Sequence, residues 1–257
     1  MLGYALPLAA PIVNACLFIA AAQVPFMFRE WRVEALFLLA ASLVAVNYYA
    51  AKRMTGSWHF SVPPIMLAVG GFGYLLLVGN AFGRYLVIAG VVGMLAVFFA
   101  FLERKVVSVS QDGTIEVPVE YGRLSLMMIA PATFFLFAFF FALIEHQVSS
   151  RWPLMVFTAS LSFFLAWEAL RKLEIAERPV KRLAGGIAIL GLEFFLALSF
   201  LPINHLVNAA VLCILLSLFL QRARDALIVD SDAESFRRQV TVSSFLIILI
   251  LVTAQWL

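Results

Sequence analysis

Apolar residues run through this chain in nine stretches, at 7–28, 33–51, 62–80, 84–102, 124–144, 153–170, 183–202, 203–220 and 240–257. A helix needs about 20 mainly apolar residues to cross a hydrocarbon layer of roughly 30 Å. Each stretch therefore predicts one transmembrane helix. The apolar runs at 62–102 and 183–220 are too long for single crossings. Polar and helix-breaking residues divide them, at Gly79, Asn80, Gly83 and Arg84 in the first and from Pro202 to Asn208 in the second. The pattern predicts an all-α polytopic membrane protein of about nine transmembrane helices, forming a single transmembrane domain over 1–257.

The polar gaps alternate in charge. All 18 Lys and Arg residues except Arg29, Arg32, Arg84 and Arg151 fall on the side reached after spans two, four, six and eight. Lys and Arg are retained on the cytoplasmic side. The expected topology thus has a cytoplasmic N-terminus, an outside C-terminus and an inner or plasma membrane location. Short outward connections and longer inward ones group the spans into four helical hairpins plus a C-terminal helix. Tyr48, Tyr49, Trp58, Tyr85, Tyr121, Trp152, Trp167, Trp31 and Trp256 lie near predicted span ends, where amphipathic rings favour the headgroup region. Tyr74 alone lies well inside a span.

Two segments interrupt this picture on the cytoplasmic side. Residues 106–121, VVSVSQDGTIEVPVEY, alternate apolar and polar positions around Asp112-Gly113. That predicts a small β-hairpin with Pro118 on an edge strand, a candidate docking edge for a protein partner. Ser231 and Glu234 have capping-box spacing and predict the start of the last helix. An internal repeat is also visible. At an offset of 59 residues Arg123, Phe135, Ala138, Phe141, Ile144 and His146 match Arg182, Phe194, Ala197, Phe200, Ile203 and His205. Such a repeat is parallel, because both copies begin inside; transporters and scaffolds both use parallel repeats.

Composition closes off other classes. The chain of 257 residues is 64% hydrophobic and 13% charged, with mean hydropathy +1.01. This lies outside the soluble range and makes the lipid bilayer the principal partner. The pI near 9.0 does not point to nucleic acid, since the basic residues sit beside span ends. No Lys or Arg precedes the first apolar stretch, so a cleaved signal peptide is not expected. Cys16 and Cys213 fall within spans, where single cysteines act as small hydrophobes.

Candidate chemistry centres on Glu193, in the middle of the 183–202 stretch. A charge at mid-bilayer costs about 2.5–3.5 kcal/mol on insertion scales. Glu193 is therefore expected to face the bundle interior, with neutral companions drawn from Asn14, Gln23, Asn47, Thr133 and Tyr74. Desolvation with no cation nearby favours a neutral carboxyl, the state a proton-coupled site needs. Glu34 and Glu168 sit near span ends and are expected at the interface. Asn14 shares its span with Pro7, Pro11 and Pro25, which predicts a kinked or broken helix. His146 and His205 fall in short outward loops without a third ligand at metal spacing, so neither a metal nor a cofactor is expected. Small residues in several spans, among them Gly70, Gly71, Ala184 and Ala188, predict close helix packing.

No H-E-x-x-H, G-x-S-x-G, Walker A or G-x-G-x-x-G motif occurs, and the lysines lie at span ends. No catalytic residue is assigned, and an enzymatic role is not expected. Two functions fit: a small transporter-like or channel-like subunit with Glu193 as its polar centre, or a non-catalytic scaffold or accessory subunit. The second would hold partners through helix faces and its cytoplasmic face.

Overall fold

The computed structural model describes residues 2–27, 32–56, 58–109, 119–147, 149–170, 177–227 and 233–254. Among them are nine α-helices, which follow the nine apolar stretches in order. They are α1 (Leu2–Met27), α2 (Arg32–Thr55), α3 (Val62–Leu75), α4 (Ala81–Val109), α5 (Val119–Glu145), α6 (Arg151–Leu170), α7 (Glu177–Leu198), α8 (His205–Leu227) and α9 (Ala233–Thr253). Six of these contain segments long and apolar enough to cross a membrane: Glu34–Thr55, Ala81–Glu103, Met128–Glu145, Arg151–Leu170, His205–Leu227 and Phe236–Thr253. The chain is a multipass all-α membrane protein.

Over the described residues three of the nine helices do not meet that measure. The described apolar part of α1, Ala9–Gln23, and α3 are shorter apolar helices. Helix α7 is long enough, but every window of span length within it holds Lys181, Arg182 and Glu193. The β-hairpin at 106–121 is also overturned. Residues 106–109 complete α4 and the segment from Val119 opens α5, so both outer arms of the proposed hairpin are helical. Each further residue adds one backbone hydrogen bond to an existing helix, and this outweighs the weak strand preference of the valines. Its centre, 110–118, lies outside the described residues, and the described residues contain no β-strand. Ser231 of the expected capping box is outside them too; α9 is described from Ala233.

Local chemistry explains the boundaries that moved. Helix α3 carries Pro63 and Pro64 in its first turn, where a missing N–H is harmless. It ends at Leu75, five residues short of the expected span end. Asn80 then accepts a hydrogen bond from the Gly83 amide at 2.5 Å, the side-chain cap of an N-terminus, and the Arg84 side chain donates to the Val78 carbonyl at 2.7 Å. Helix α2 ends in a left-handed Gly56, φ +72°, whose amide donates to the Lys52 carbonyl at 2.8 Å. A side chain would be strained there.

Contacts divide the chain into two compact units, Met1–Leu136 and Phe137–Leu257. In the first, α1 packs on α2 and α4, and α3 packs on α2 and α4. Glycine sets how near α3 comes to its neighbours. A Cβ on Gly70 would lie 2.8 Å from the Ala132 carbonyl oxygen, and one on Gly71 2.5 Å from a Val91 methyl. In the second unit the most extensive packing joins α6 to α7, with α8 on both and α9 on α8. Phe140 of α5 also meets Phe157 of α6 in a ring contact, and the closeness of α6 to α7 has a plain cause. The reason is again a missing side chain: a Cβ on Gly191 would lie 2.6 Å from Ser162 Oγ and 3.2 Å from Leu216 Cδ2.

Overpacking a tight contact typically costs about 1–3 kcal/mol. Gly191→Ala is therefore expected to lower the thermal unfolding midpoint in detergent, and Ser162→Gly in the same chain to recover most of the loss. Equal midpoints for wild type and Gly191→Ala would show that α6 and α7 are not held this closely.

Candidate functional site

In the first unit, Asn14 on α1 and Asn47 on α2 are both fully buried. Their amides bond reciprocally: Asn47 Nδ2 donates to Asn14 Oδ1 at 2.9 Å, and Asn14 Nδ2 donates to Asn47 Oδ1 at 3.3 Å. Each Nδ2 also donates one turn back along its own helix, to Ala10 and Leu43 carbonyls, both at 2.8 Å. Two amides unable to reach water thus satisfy each other. Helix α1 runs unbroken past Pro7, Pro11 and Pro25, so its prolines do not open a binding site around Asn14.

The other expected companions are placed differently. Thr133 is buried and its hydroxyl donates to the Ile129 carbonyl at 2.6 Å, within α5. Tyr74 is half-buried and stacks on Phe135 with ring centroids 5.3 Å apart. Gln23 is exposed. The structure therefore joins Asn14 to Asn47 and sets Tyr74 against α5 two residues beyond Thr133, without gathering all of them round one centre.

Glu193 belongs to the second unit, and its side chain is exposed. The cause is the register of α7. Val180, Ala184, Ile187, Gly191, Phe195 and Leu198 are buried, the 3.6-residue repeat of one helix face. Arg182, Gly186, Ile189, Glu193 and Ala197 form the opposite, exposed line. Glu193 makes no hydrogen bond or ion pair with a described residue. It lies eleven residues beyond Arg182, about 16 Å along a helix axis. The inward orientation expected from cost alone is not what α7 adopts.

The buried carboxyl is Glu168 on α6, 1% exposed, where an interfacial position was expected. It shares its helix with the buried hydroxyls of Thr158 and Ser162. The polar residues at 158 and 162 sit one turn apart in register with Leu154 and Leu165, and this spacing marks them as core-facing. Glu34, by contrast, is exposed in the first turn of α2, as expected.

One polar cluster was not legible as such. Glu145 closes α5 and His205 opens α8, and Glu145 Oε2 accepts from His205 twice, from the backbone amide at 3.1 Å and from Nδ1 at 2.9 Å. A carboxylate at a helix N-terminus is favoured by the free amides and the dipole there. The side chains are 17% exposed for His205 and 30% for Glu145, and the His146 ring lies 6.5 Å from that of His205. Nearby, the Arg151 guanidinium sits 4.3 Å over the Phe200 ring. The equivalence of the two histidines in the repeat was the only sequence signal for this meeting. No group of three His, Cys, Asp or Glu residues that could hold a metal occurs among the described residues.

At the end of α2 the basic pair Lys52-Arg53 lies beside the aromatic pair Tyr48-Tyr49. Lys52 Nζ lies 3.1 Å from the Tyr48 hydroxyl and 5.2 Å over its ring, and Tyr49, Lys52, Arg53 and Gly56 line a shallow recess. Comparison of the chain with known protein families, curated proteins and solved structures finds no match.

The Asn14–Asn47 pair invites a double-mutant cycle. Each single Leu substitution strands the partner amide and is expected to cost about 1–2 kcal/mol, in line with interhelical bonds elsewhere. The double Asn14→Leu, Asn47→Leu variant is expected to lose less than the two singles together. Strict additivity in detergent unfolding would contradict the pairing.

Proposed function

We propose that this protein is a non-catalytic subunit of a larger membrane assembly, which docks through the exposed face of α7 with Glu193 as the polar contact. The observation that carries this is the exposure of Glu193 on the face of α7 opposite its packed one. A carboxyl on the exposed face of α7, with no hydrogen bond or ion pair to a described residue, is costly against lipid and satisfied against protein. The rest of the line suits a helix–helix contact, for Gly186 and Ala197 are small and Ile189 is 59% exposed. The Lys and Arg asymmetry read from the sequence favours a cytoplasmic N-terminus.

A transporter-like or channel-like role asks Glu193 to line an internal path, and no described residue offers it a hydrogen bond or ion pair along one. The absence of nucleotide and hydrolase motifs is in keeping with a structural subunit.

Extraction in a mild detergent followed by mass measurement tests the assembly role. The wild-type protein is expected in a particle larger than its own 28.5 kDa. Glu193→Leu is expected to release a folded single chain, while Glu193→Gln, which keeps a hydrogen-bonding side chain, stays assembled. A wild type that is monomeric under every gentle extraction, or cation flux in vesicles that Glu193→Gln abolishes, would overturn the proposal.

A further inference from the structure

We infer that the core formed by α6, α7 and α8 binds water at Thr158, Ser162 and Asn208, in a hydrogen-bonded file that begins beside the Glu145–His205 pair. The three residues are 0%, 1% and 4% exposed. Thr158 Oγ1, Ser162 Oγ and Asn208 Oδ1 meet no hydrogen-bond partner among the described residues. Buried polar atoms are seldom left so, and ordered water is the usual partner where protein supplies none. The two hydroxyls also forgo the shortest route. Ser42, Thr55, Thr133 and Thr241 donate to the carbonyl four residues back at 2.6–3.0 Å, whereas Thr158 and Ser162 do not.

Two contacts set the three oxygens in order. A Cβ on Gly191 would meet both Ser162 Oγ and Leu216 Cδ2, so Ser162 and Leu216 share one level of the core. Helices α6, α7 and α8 pack on one another and follow each other through the short links 171–176 and 199–204. Neighbours so joined are antiparallel, which makes α6 parallel to α8. From the shared level Thr158 lies four residues back on α6, about 6 Å, and Asn208 eight residues back on α8, about 12 Å. Spacings of four and eight keep them on the helix faces of Ser162 and Leu216. The ring contact of Phe140 with Phe157 gives the same order, because Glu145, which holds His205, lies five residues further along α5.

The oxygens thus follow one another in steps of about 6 Å, and that step selects the ligand. A water with a hydrogen bond of about 2.8 Å on each side spans about 5.6 Å. It donates and accepts, and so serves hydroxyl and amide oxygens alike. A metal cation sits about 2.0–2.6 Å from its oxygens and falls short of the step. Asn208 lies one turn from His205, whose side chain is 17% exposed and that of Glu145 30%, so the file reaches the protein surface at that pair.

X-ray radiolysis of the full-length protein in nanodiscs tests this, because hydroxyl radicals formed from bound water oxidise the side chains beside it. Leu212 lies on α8 between Asn208 and Leu216, and Leu43 is an equally buried control in the first unit, beside the satisfied Asn14–Asn47 pair. Oxidation of Leu212 and not of Leu43 is the expected result. The near-isosteric pair Thr158→Val, Ser162→Ala is expected to bring Leu212 down to the level of Leu43, with helix content by circular dichroism unchanged. Mixing with 18O-labelled water before the pulse is expected to carry the label into the Leu212 product. A Leu212 as silent as Leu43, or oxidation that the double variant leaves intact, overturns the water file. A Leu212 product free of 18O overturns its opening at the Glu145–His205 pair. Oxidation suppressed by added sodium overturns water as the ligand in favour of a cation.

Discussion

Hydrocarbon cannot hydrogen-bond, so each polar side chain within an apolar bundle must find its partner in protein. Most of those described here do so over the shortest route. Ser42, Thr55, Thr133, Thr241 and Thr253 donate to the carbonyl four residues back, at 2.6–3.0 Å. Asn14 and Asn47 do this and also bridge two helices. Among the described residues the requirement is unmet at the buried Thr158 and Ser162 hydroxyls, and the exposed Glu193 also makes no hydrogen bond or ion pair with a described residue. The functional reading follows from the latter.

Close approach between helices has an equally plain origin. Without a hydrophobic force between helices already in lipid, contact area and backbone proximity decide which pairs form. Gly70 and Gly71 bring α3 against a carbonyl of α5 and a valine of α4, and Gly191 brings α7 under Ser162. One face of α7 is thereby committed to the bundle. A helix rotates as a unit, so fixing Gly191 inward fixes Glu193 outward, two residues and roughly 200° further round.

This coupling also explains what the sequence made legible. Apolar run length located all nine helices, because backbone satisfaction in a membrane leaves few alternatives to a helix. It overstated the number of full spans, since length says little about a charge-bearing helix such as α7 or a short one such as α3. Alternation at 106–121 suggested strands, yet 106–109 and 119–121 extend neighbouring helices. Among candidate residues, Asn14 and Asn47 were named, but their pairing required knowing which helices adjoin. Glu193 and Glu168 exchanged roles. Cost alone argued that the carboxyl turns inward, whereas the packing of Ala184, Ile187, Gly191 and Phe195 assigns the inward face of α7. The small residues alone do not reveal it, since Gly186 and Ala197 lie on the exposed side.

The central claim is that Glu193 is shielded from water by an assembly partner and does not open onto an aqueous path. Paired carbodiimide labelling tests it, with mass spectrometry to locate the modified residue. In intact membranes a water-soluble carbodiimide is expected to leave Glu193 unmodified across neutral and acidic pH. A lipophilic carbodiimide is expected to modify it once detergent has separated the assembly. Labelling by the water-soluble reagent in intact membranes, blocked by a particular cation, would contradict the account and place Glu193 on a conduction route.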